Sequence, residues 1–201
     1  MNEHETDPGL TGGPLGARRL WLRDAERVDA ALYAAIARTP TPSLDTAMRR
    51  ISRAADYSKI SLGAAAVLAL TGDERGRRAA QFGLASVCVT ATIVNVAVKP
   101  LSRRRRPDRV AERVELGRHV RMPISTSFPS GHSAAAFAFA TGVGHVLPRA
   151  AVPLRALAAL VAYSRVHTGV HYPGDAVVGS LIGTAVAQIT AHELDQRRRS
   201  S

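Results

Sequence analysis

Apolar residues gather into five blocks along the chain, at about 60–71, 79–98, 133–147, 151–164 and 174–191, with connections as tight as "LPRA" at 147–150. Each block is built mainly of Ala, Val, Leu and Ile, the composition of helices that face lipid or one another. A bilayer crossing takes about 20 residues at about 1.5 Å of rise each, and the second and fifth blocks approach that length. The first, third and fourth reach it only with flanking residues: "ADYSKI" before the first, the turn at His132 before the third and "SRVH" after the fourth. The pattern predicts an all-α, multi-span transmembrane helical bundle of about five spans. Short helices buried inside a soluble all-helical protein are the alternative.

Ahead of the blocks, "ARRLWLRDAERVDAALYAAIAR" at 17–38 sets Leu20, Leu32 and Ile36 among alanines and charges, the pattern of an N-terminal amphipathic helix. Trp21 suits either a membrane interface or packing on the protein. The prolines of "TPTPS" at 39–43 interrupt this helix. A second helix is expected from Ser43 or Asp45, running on through "TAMRRISRAADYSKI" into the first apolar block and changing from amphipathic to apolar near Lys59. The organisation expected is a flexible segment over 1–16, an amphipathic helical region over 17–56, a membrane domain over 57–192 and a basic tail over 193–201. The first of these carries acidic residues and glycines where a secretory signal has basic and apolar ones, so no cleaved signal peptide is expected.

Charge narrows the class of partner. The chain of 201 residues carries 27 Lys and Arg against 16 Asp and Glu, a net +11. That excess suits a polyanion: nucleic acid, anionic headgroups or a phosphorylated substrate. No aromatic interleaving or recognition helix supports a nucleic-acid surface. If all five blocks cross, Lys59, the 99–131 loop and residues 165–173 share a face with the N-terminal region. That face would hold 19 of the Lys and Arg against 8 on the other, and the positive-inside tendency would make it cytoplasmic. Cys88, the one cysteine, cannot form an internal disulfide and reads as a small buried hydrophobe.

Candidate chemistry concentrates at three places. The loop "KPLSRRRRPDRVAERVELGRHVRMPISTS" is too charged for lipid, and Arg103, Arg104 and Arg105 read as a solvated basic face or a headgroup anchor. "FPSGH" at 128–132 puts a histidine at the mouth of an apolar helix. "SRVHTGVHYPGD" crowds Arg165, His167, His171 and Asp175 between helices of low charge, where each must be paired or used. His132, His167 and His171 offer ligands for a metal. Lys99, Arg106 and Arg165 repel a cation, however, and the mixture suits an anion held by cations beside two imidazoles.

Three motifs complete the pattern. Lys-x6-Arg-Pro is present as Lys99, Arg106 and Pro107; Pro-Ser-Gly-His as Pro129 to His132; and Ser-Arg-x5-His-x3-Asp as Ser164, Arg165, His171 and Asp175. Together and in order, they resemble the type 2 phosphatidic acid phosphatase (PAP2) superfamily, in its membrane lipid-phosphatase branch, whose core is shared with vanadium haloperoxidases and some bacterial acid phosphatases. The resemblance covers about 57–192. It implies a nucleophilic His171, oriented by Asp175, that forms a phosphohistidine. His132 would protonate the leaving oxygen and then activate water. Lys99, Arg106, Arg165, Ser130 and the Gly131 backbone N–H would bind phosphate, with no metal and no cofactor. His167 falls at an open position of the motif, and His119, His145 and His192 match none.

The function expected from the resemblance is hydrolysis of a lipid phosphate or diphosphate by an integral protein of the bacterial plasma membrane. Candidate substrates are phosphatidic acid, phosphatidylglycerophosphate and polyprenyl phosphates or diphosphates. The alternatives are a soluble acid phosphatase of the same architecture and a non-catalytic membrane protein that recruits anionic lipid. An oriented imidazole pair argues against the last.

Overall fold

A computed structural model describes residues 14–200. Among the described residues seven α-helices make up the fold: α1 Pro14–Arg38, α2 Pro42–Ala54, α3 Lys59–Thr71, α4 Glu74–Thr92, α5 Gly131–Val146, α6 Pro148–His167 and α7 Pro173–Ser200. Local sequence explains several boundaries. Pro42 and Pro148 sit in the first turns of α2 and α6, where the missing N–H costs nothing. Asp73 caps α4, accepting from Gly76 N at 3.0 Å. Beyond Thr92 the α4 path loosens into a π turn over Ile93–Val98 and a 3-10 turn over Lys99–Leu101. Pro100 can donate no backbone hydrogen bond there, and the helix ends by presenting Lys99.

α5 is the central element, packed against α4, α6 and α7, with α3 leaning on α4. Phe82, Phe139 and Val143 form one apolar core with Ala79 and Ala80, while Tyr33, Val166 and Ala176 form a second beneath α1. α7 meets α5 through Gly179 and Gly183, where a Cβ would fall 2.4 Å from Ser130 O and 2.0 Å from Ala134 O. At the end remote from Lys99, Arg78 Nη2 and His145 Nε2 hold the two oxygens of Asp195 at 2.5 and 2.6 Å, tying the start of α4 and the end of α5 to the end of α7.

The expectation of about five spans is corrected. Among the described residues two helices, Glu74–Leu101 and Pro173–Ser200, each of 28 residues, are long and apolar enough to cross a membrane. α3 has 13 residues and α5 has 16, rising about 20 and 24 Å, short of a hydrocarbon core of about 30 Å. α6 has 20 residues but carries Arg149, Arg155 and Arg165. The apolarity of α5 is core packing: Ala134, Ala138, Ala140 and Val143 are each at most 1% exposed. The topology count that made one face cytoplasmic assumed five crossings and falls with them.

Three smaller expectations also change. The helix predicted to run from 43 to 71 breaks at Asp56–Ser58, where Tyr57 and Ser58 both take φ of 56°, left-handed backbone unusual for residues with side chains. Cys88 is exposed on the outer face of α4. The flexible segment expected over 1–16 lies mostly outside the described residues, and α1 is helical from Pro14. Much of α1 is exposed, Trp21, Val28 and Leu32 included.

Candidate active site

The motif residues stand on separate elements that converge at one end of the bundle. Lys99 ends the α4 path, Arg106 lies in the loop beyond, His132 is in the first turn of α5, Arg165 is in the last turn of α6, and His171 and Asp175 flank the start of α7. His171 N bonds back to Arg165 O at 3.2 Å, and Ser130 N donates to Asp175 O at 3.0 Å, so the α6–α7 turn and the start of α5 are clamped by backbone.

The tautomer of His171 follows from its neighbours. Nε2 lies 3.2 Å from Arg106 Nη1. A guanidinium can only donate, so Nε2 presents a lone pair and the ring proton sits on Nδ1. Nδ1 faces Asp175 Oδ2 at 3.5 Å, too long for a full hydrogen bond, and has no other partner. Asp175 is fully buried. Its Oδ2 accepts from Ser127 Oγ at 2.5 Å and Tyr172 N at 2.9 Å, and its Oδ1 from Arg104 Nη1 at 2.7 Å. Burial holds His171 well below the usual histidine range, at about 4, against the pull of Asp175; Arg106 and Arg165 act in the same direction as burial. An unprotonated Nε2 at neutral pH is what a nucleophile requires.

Lys99 and Arg106 beside it are positioned by neutral groups. Arg106 donates to Val170 O at 2.7 Å and to Ser125 O at 2.9 Å, and Lys99 Nζ to Ser125 Oγ at 3.1 Å. Arg165 is 1% exposed and donates through Nη1 to Ser52 Oγ at 2.6 Å, while its Nε has no partner. Burial lowers Arg165 to about 10 although Asp56 pulls the other way. At Gly131 a Cβ would lie 3.6 Å from Lys99 Nζ, so the start of α5 sits directly beside a cation. Helix-start N–H groups and close cations together form a site for an anion. Ser130 caps α5: its buried Oγ accepts from Ser133 Oγ at 2.9 Å and Ser133 N at 3.4 Å, leaving its own proton to give.

Sequence reasoning missed several members. His132 Nε2 lies 3.0 Å from Asp56 Oδ1, which is also 3.5 Å from Arg165 Nη1. Burial, then the charges of Arg165, His171, Lys99 and Arg106, hold His132 far below the usual range. Among the described residues Asp56 is the carboxylate paired with it, carried on the left-handed turn. Ser125 and Ser127 precede "FPSGH" with no pattern of their own to betray them. Arg104, read as solvated, is half-buried between Asp175 and Asp29 Oδ2, the latter at 2.6 Å, with its guanidinium 4.2 Å from the Tyr172 ring centre. His167 is 2% exposed and bonds Asp45 Oδ1 at 2.9 Å beside the fully buried Arg118, whose Nε donates to the same oxygen at 2.7 Å. Arg118 also donates to Ile36 O and Thr39 O, closing the open end of α1. His167 therefore belongs to the tie between α1, α2 and α6. Among the described residues no three His, Cys, Asp or Glu side chains come together as a metal site.

A cleft of about 200 Å³ opens beside this centre. Lys99, Gly131 and His132 stand at its polar end, and Ala64, Ala91, Ala135, Phe139 and Leu157 continue it between α3, α4, α5 and α6. Its walls mix alanines with aliphatic side chains such as Ile60 and Leu154, an apolar lining beyond the polar end.

The profile of the PAP2 superfamily matches residues 80–199, more than half of the chain. The decaprenylphosphoryl-5-phosphoribose phosphatase of Mycobacterium tuberculosis is 40% identical over 103 residues, so this chain spans about half of that relative, 52% of its length. The protein of the same description from Mycolicibacterium smegmatis is 31% identical over 166 residues, 79% of this chain and 84% of its own. The crystal structure of Aquifex aeolicus LpxE superposes with a TM-score of 0.63 at 26% identity, covering 80% of this chain and 92% of that one. A transmembrane PAP2-type phosphatidylglycerolphosphate phosphatase from Bacillus subtilis shares the fold, with a TM-score of 0.65, 23% identity and 87% coverage of both chains.

Proposed function

Since the chain belongs to the PAP2 superfamily, as a hydrolase of phosphatase type and an integral membrane protein with apolar helices, we propose that it removes the phosphate of a polyprenyl-linked lipid at the membrane surface, without a metal. The observation that carries this reading is the arrangement of His171, with an Nε2 lone pair beside Arg106 Nη1 at 3.2 Å and an Nδ1 proton facing Asp175. His171 Nε2 attacks phosphorus and the bond to the lipid oxygen breaks. That oxygen leaves with a proton from His132. Water then gives a proton back to His132 as it attacks phosphorus, the P–N bond breaks, and inorganic phosphate and free His171 result. Lys99, Arg106, Arg165, Ser130 Oγ and the Gly131 N–H bind the oxygens on which charge builds. The free site keeps His132 neutral; an arriving phosphate dianion joins Asp56 in favouring its charged form.

The apolar cleft that runs from Lys99 and His132 supports a lipid chain, and the curated relatives act on a decaprenyl-linked phosphate. A diphosphate, phosphatidic acid and phosphatidylglycerophosphate share the same headgroup chemistry.

The deciding experiment measures phosphate release from a panel of these lipids in detergent micelles, with and without EDTA, beside His171→Ala. Activity that survives EDTA and is lost in the folded variant, together with an acid-labile, base-stable phosphoenzyme in rapid quench, is expected. Undiminished hydrolysis by His171→Ala would sink the mechanism. A panel in which polyprenyl phosphates are the poorest substrates would remove the lipid assignment alone.

A further inference from the structure

Helix α1 lies outside the matched family region of 80–199, yet one of its side chains reaches the catalytic centre. Asp29 Oδ1 accepts from Gly174 N at 2.7 Å, and Oδ2 accepts from Arg104 Nη2 at 2.6 Å. The other arm of Arg104 holds Asp175 Oδ1 at 2.7 Å. The Asp29 side chain is 13% exposed and that of Arg104 22%, so the pair is shielded well beyond an ordinary surface ion pair. Position 174 is shaped for this contact, because a Cβ there would lie 2.8 Å from Asp29 Oδ2. Tyr33, one turn further along α1, packs edge-on against Tyr172 at 5.4 Å between ring centres, and Tyr172 in turn carries the Arg104 guanidinium.

We propose that Asp29 is a positioning residue of the phosphatase: through the Gly174 amide and Arg104 it fixes Asp175 against His171 and leaves Asp175 its negative charge. The inference rests on the reading of His171 as nucleophile. Its logic is a charge count. Arg104 with Asp175 alone is neutral overall and offers an imidazolium little. Asp29 makes the trio net negative, so the charge that grows on the His171 ring during attack has a counterpart. Asp29 also caps the first turn of α7 from outside, and that turn carries Asp175.

The charged and titratable groups facing His171 come from every side: Lys99 and Arg106 after α4, His132 on α5, Arg165 on α6, Asp175 on α7, Arg104 from the loop and Asp56 from the turn before α3. All but Asp175 and Asp56 are cationic or become so. Removing a negative charge behind Asp175 therefore makes protonation of His171 harder, and removing Arg104 makes it easier.

The test is kcat/KM against pH for the detergent-solubilised full chain on one lipid phosphate, so that titration of the substrate is common to all variants. Asp29→Asn is expected to lower kcat about tenfold with KM within twofold, and to move the acid limb to lower pH. Arg104→Gln should move that limb to higher pH, and Asp29→Glu should return it toward the wild type. Loosened packing shifts both variants alike or neither, so limbs that move together or stay fixed overturn the proposal. If Asp29→Asn does not fold, Arg104→Gln carries the test alone, and a limb that stays put or falls overturns it. An active His171→Ala variant refutes the nucleophile assignment instead, and an inactive one beside an unmoved Asp29→Asn limb refutes the inference only.

Discussion

Replacing Gly179 by Ala tests whether the α5–α7 contact sets the distance between the two catalytic histidines. The new methyl carbon would sit 2.4 Å from Ser130 O and 3.2 Å from Ser130 C. A carbon tolerates a carbonyl oxygen at about 3.3 Å, so the helices must part by about 0.9 Å, and the obstacle is backbone that no side-chain rotation relieves. The shift acts where Ser130 N holds Asp175 O at 3.0 Å, one turn from Gly179. It carries Asp175 and His171 away from His132 and the start of α5. A displacement of about 1 Å in a reacting pair costs on the order of a hundredfold in rate, while overpacking of this kind costs about 1–3 kcal/mol of stability. Phosphate release in micelles should show kcat down about a hundredfold, KM nearly constant and a lower but cooperative melting transition. Gly63→Ala is the control, because nothing lies within 4 Å of its new Cβ. A Gly179→Ala enzyme with kcat within threefold of wild type would refute the view that this close approach holds the site together.

Asp56→Asn removes the carboxylate beside His132; its loss should slow hydrolysis of an alkyl phosphate by about 10- to 100-fold but hardly affect p-nitrophenyl phosphate, whose leaving group needs no proton. Equal losses on the two substrates would mean that Asp56 does not act through the acid. His171 is held neutral, at about 4, while its unfolded counterpart titrates near 6.5. Between those values the unfolded chain binds the extra proton, so this contribution to stability is complete above pH 6.5 and is lost as pH falls toward 4. Melting temperature should therefore drop more steeply across that window in the wild type than in His171→Asn, and parallel curves would contradict it. Ala64→Phe, which narrows the apolar cleft, should raise KM for a long-chain lipid phosphate and leave a water-soluble phosphomonoester unaffected; equal effects on both would mean that the chain does not lie there.

The motif residues were legible because each has a fixed offset from another: Arg106 from Lys99, His132 from Ser130, Asp175 from His171. Their convergence was not, since nothing local says that the α4 exit, the α5 start and the α6–α7 turn share one end of a bundle. The span count failed for a physical reason. Lipid tails and protein cores are equally apolar, so "SAAAFAFATGVG" carries the same signature whether its partner is a bilayer or three other helices. Length would have discriminated, because 16 residues cannot cover the distance. The break at Asp56–Ser58 left no trace either: "AADYSK" contains neither glycine nor proline, and the left-handed backbone at Tyr57 and Ser58 accompanies two contacts of Asp56 that are entirely tertiary. A composition of frequent alanines hid the cleft in the same way, because an alanine facing a void reads like one facing a neighbour.

The net charge of +11 acquires a sharper meaning once its partners are known. The N-terminal helices and turn supply three carboxylates to arginines and histidines of the later chain: Asp29 to Arg104, Asp45 to Arg118 and His167, and Asp56 to His132 and Arg165. Lys99 and Arg106 are treated differently, for among the described residues they bond only hydroxyls, carbonyls and the His171 ring. Leaving two half-buried cations without a carboxylate is costly in the free protein. The cost is recovered when an anion of matching size arrives, and a phosphate brings the negative charge that no side chain supplies to these two. "RRRR" therefore divides along its length: Arg104 turns inward to Asp175, whereas Arg106 meets the His171 ring and, in the proposed mechanism, the substrate. The same partition gives a use to the carboxylates of a non-motif N-terminal region on a basic chain. Its carboxylates offset Arg104 and Arg118, which hold the architecture, and among the described residues leave Lys99 and Arg106 without one.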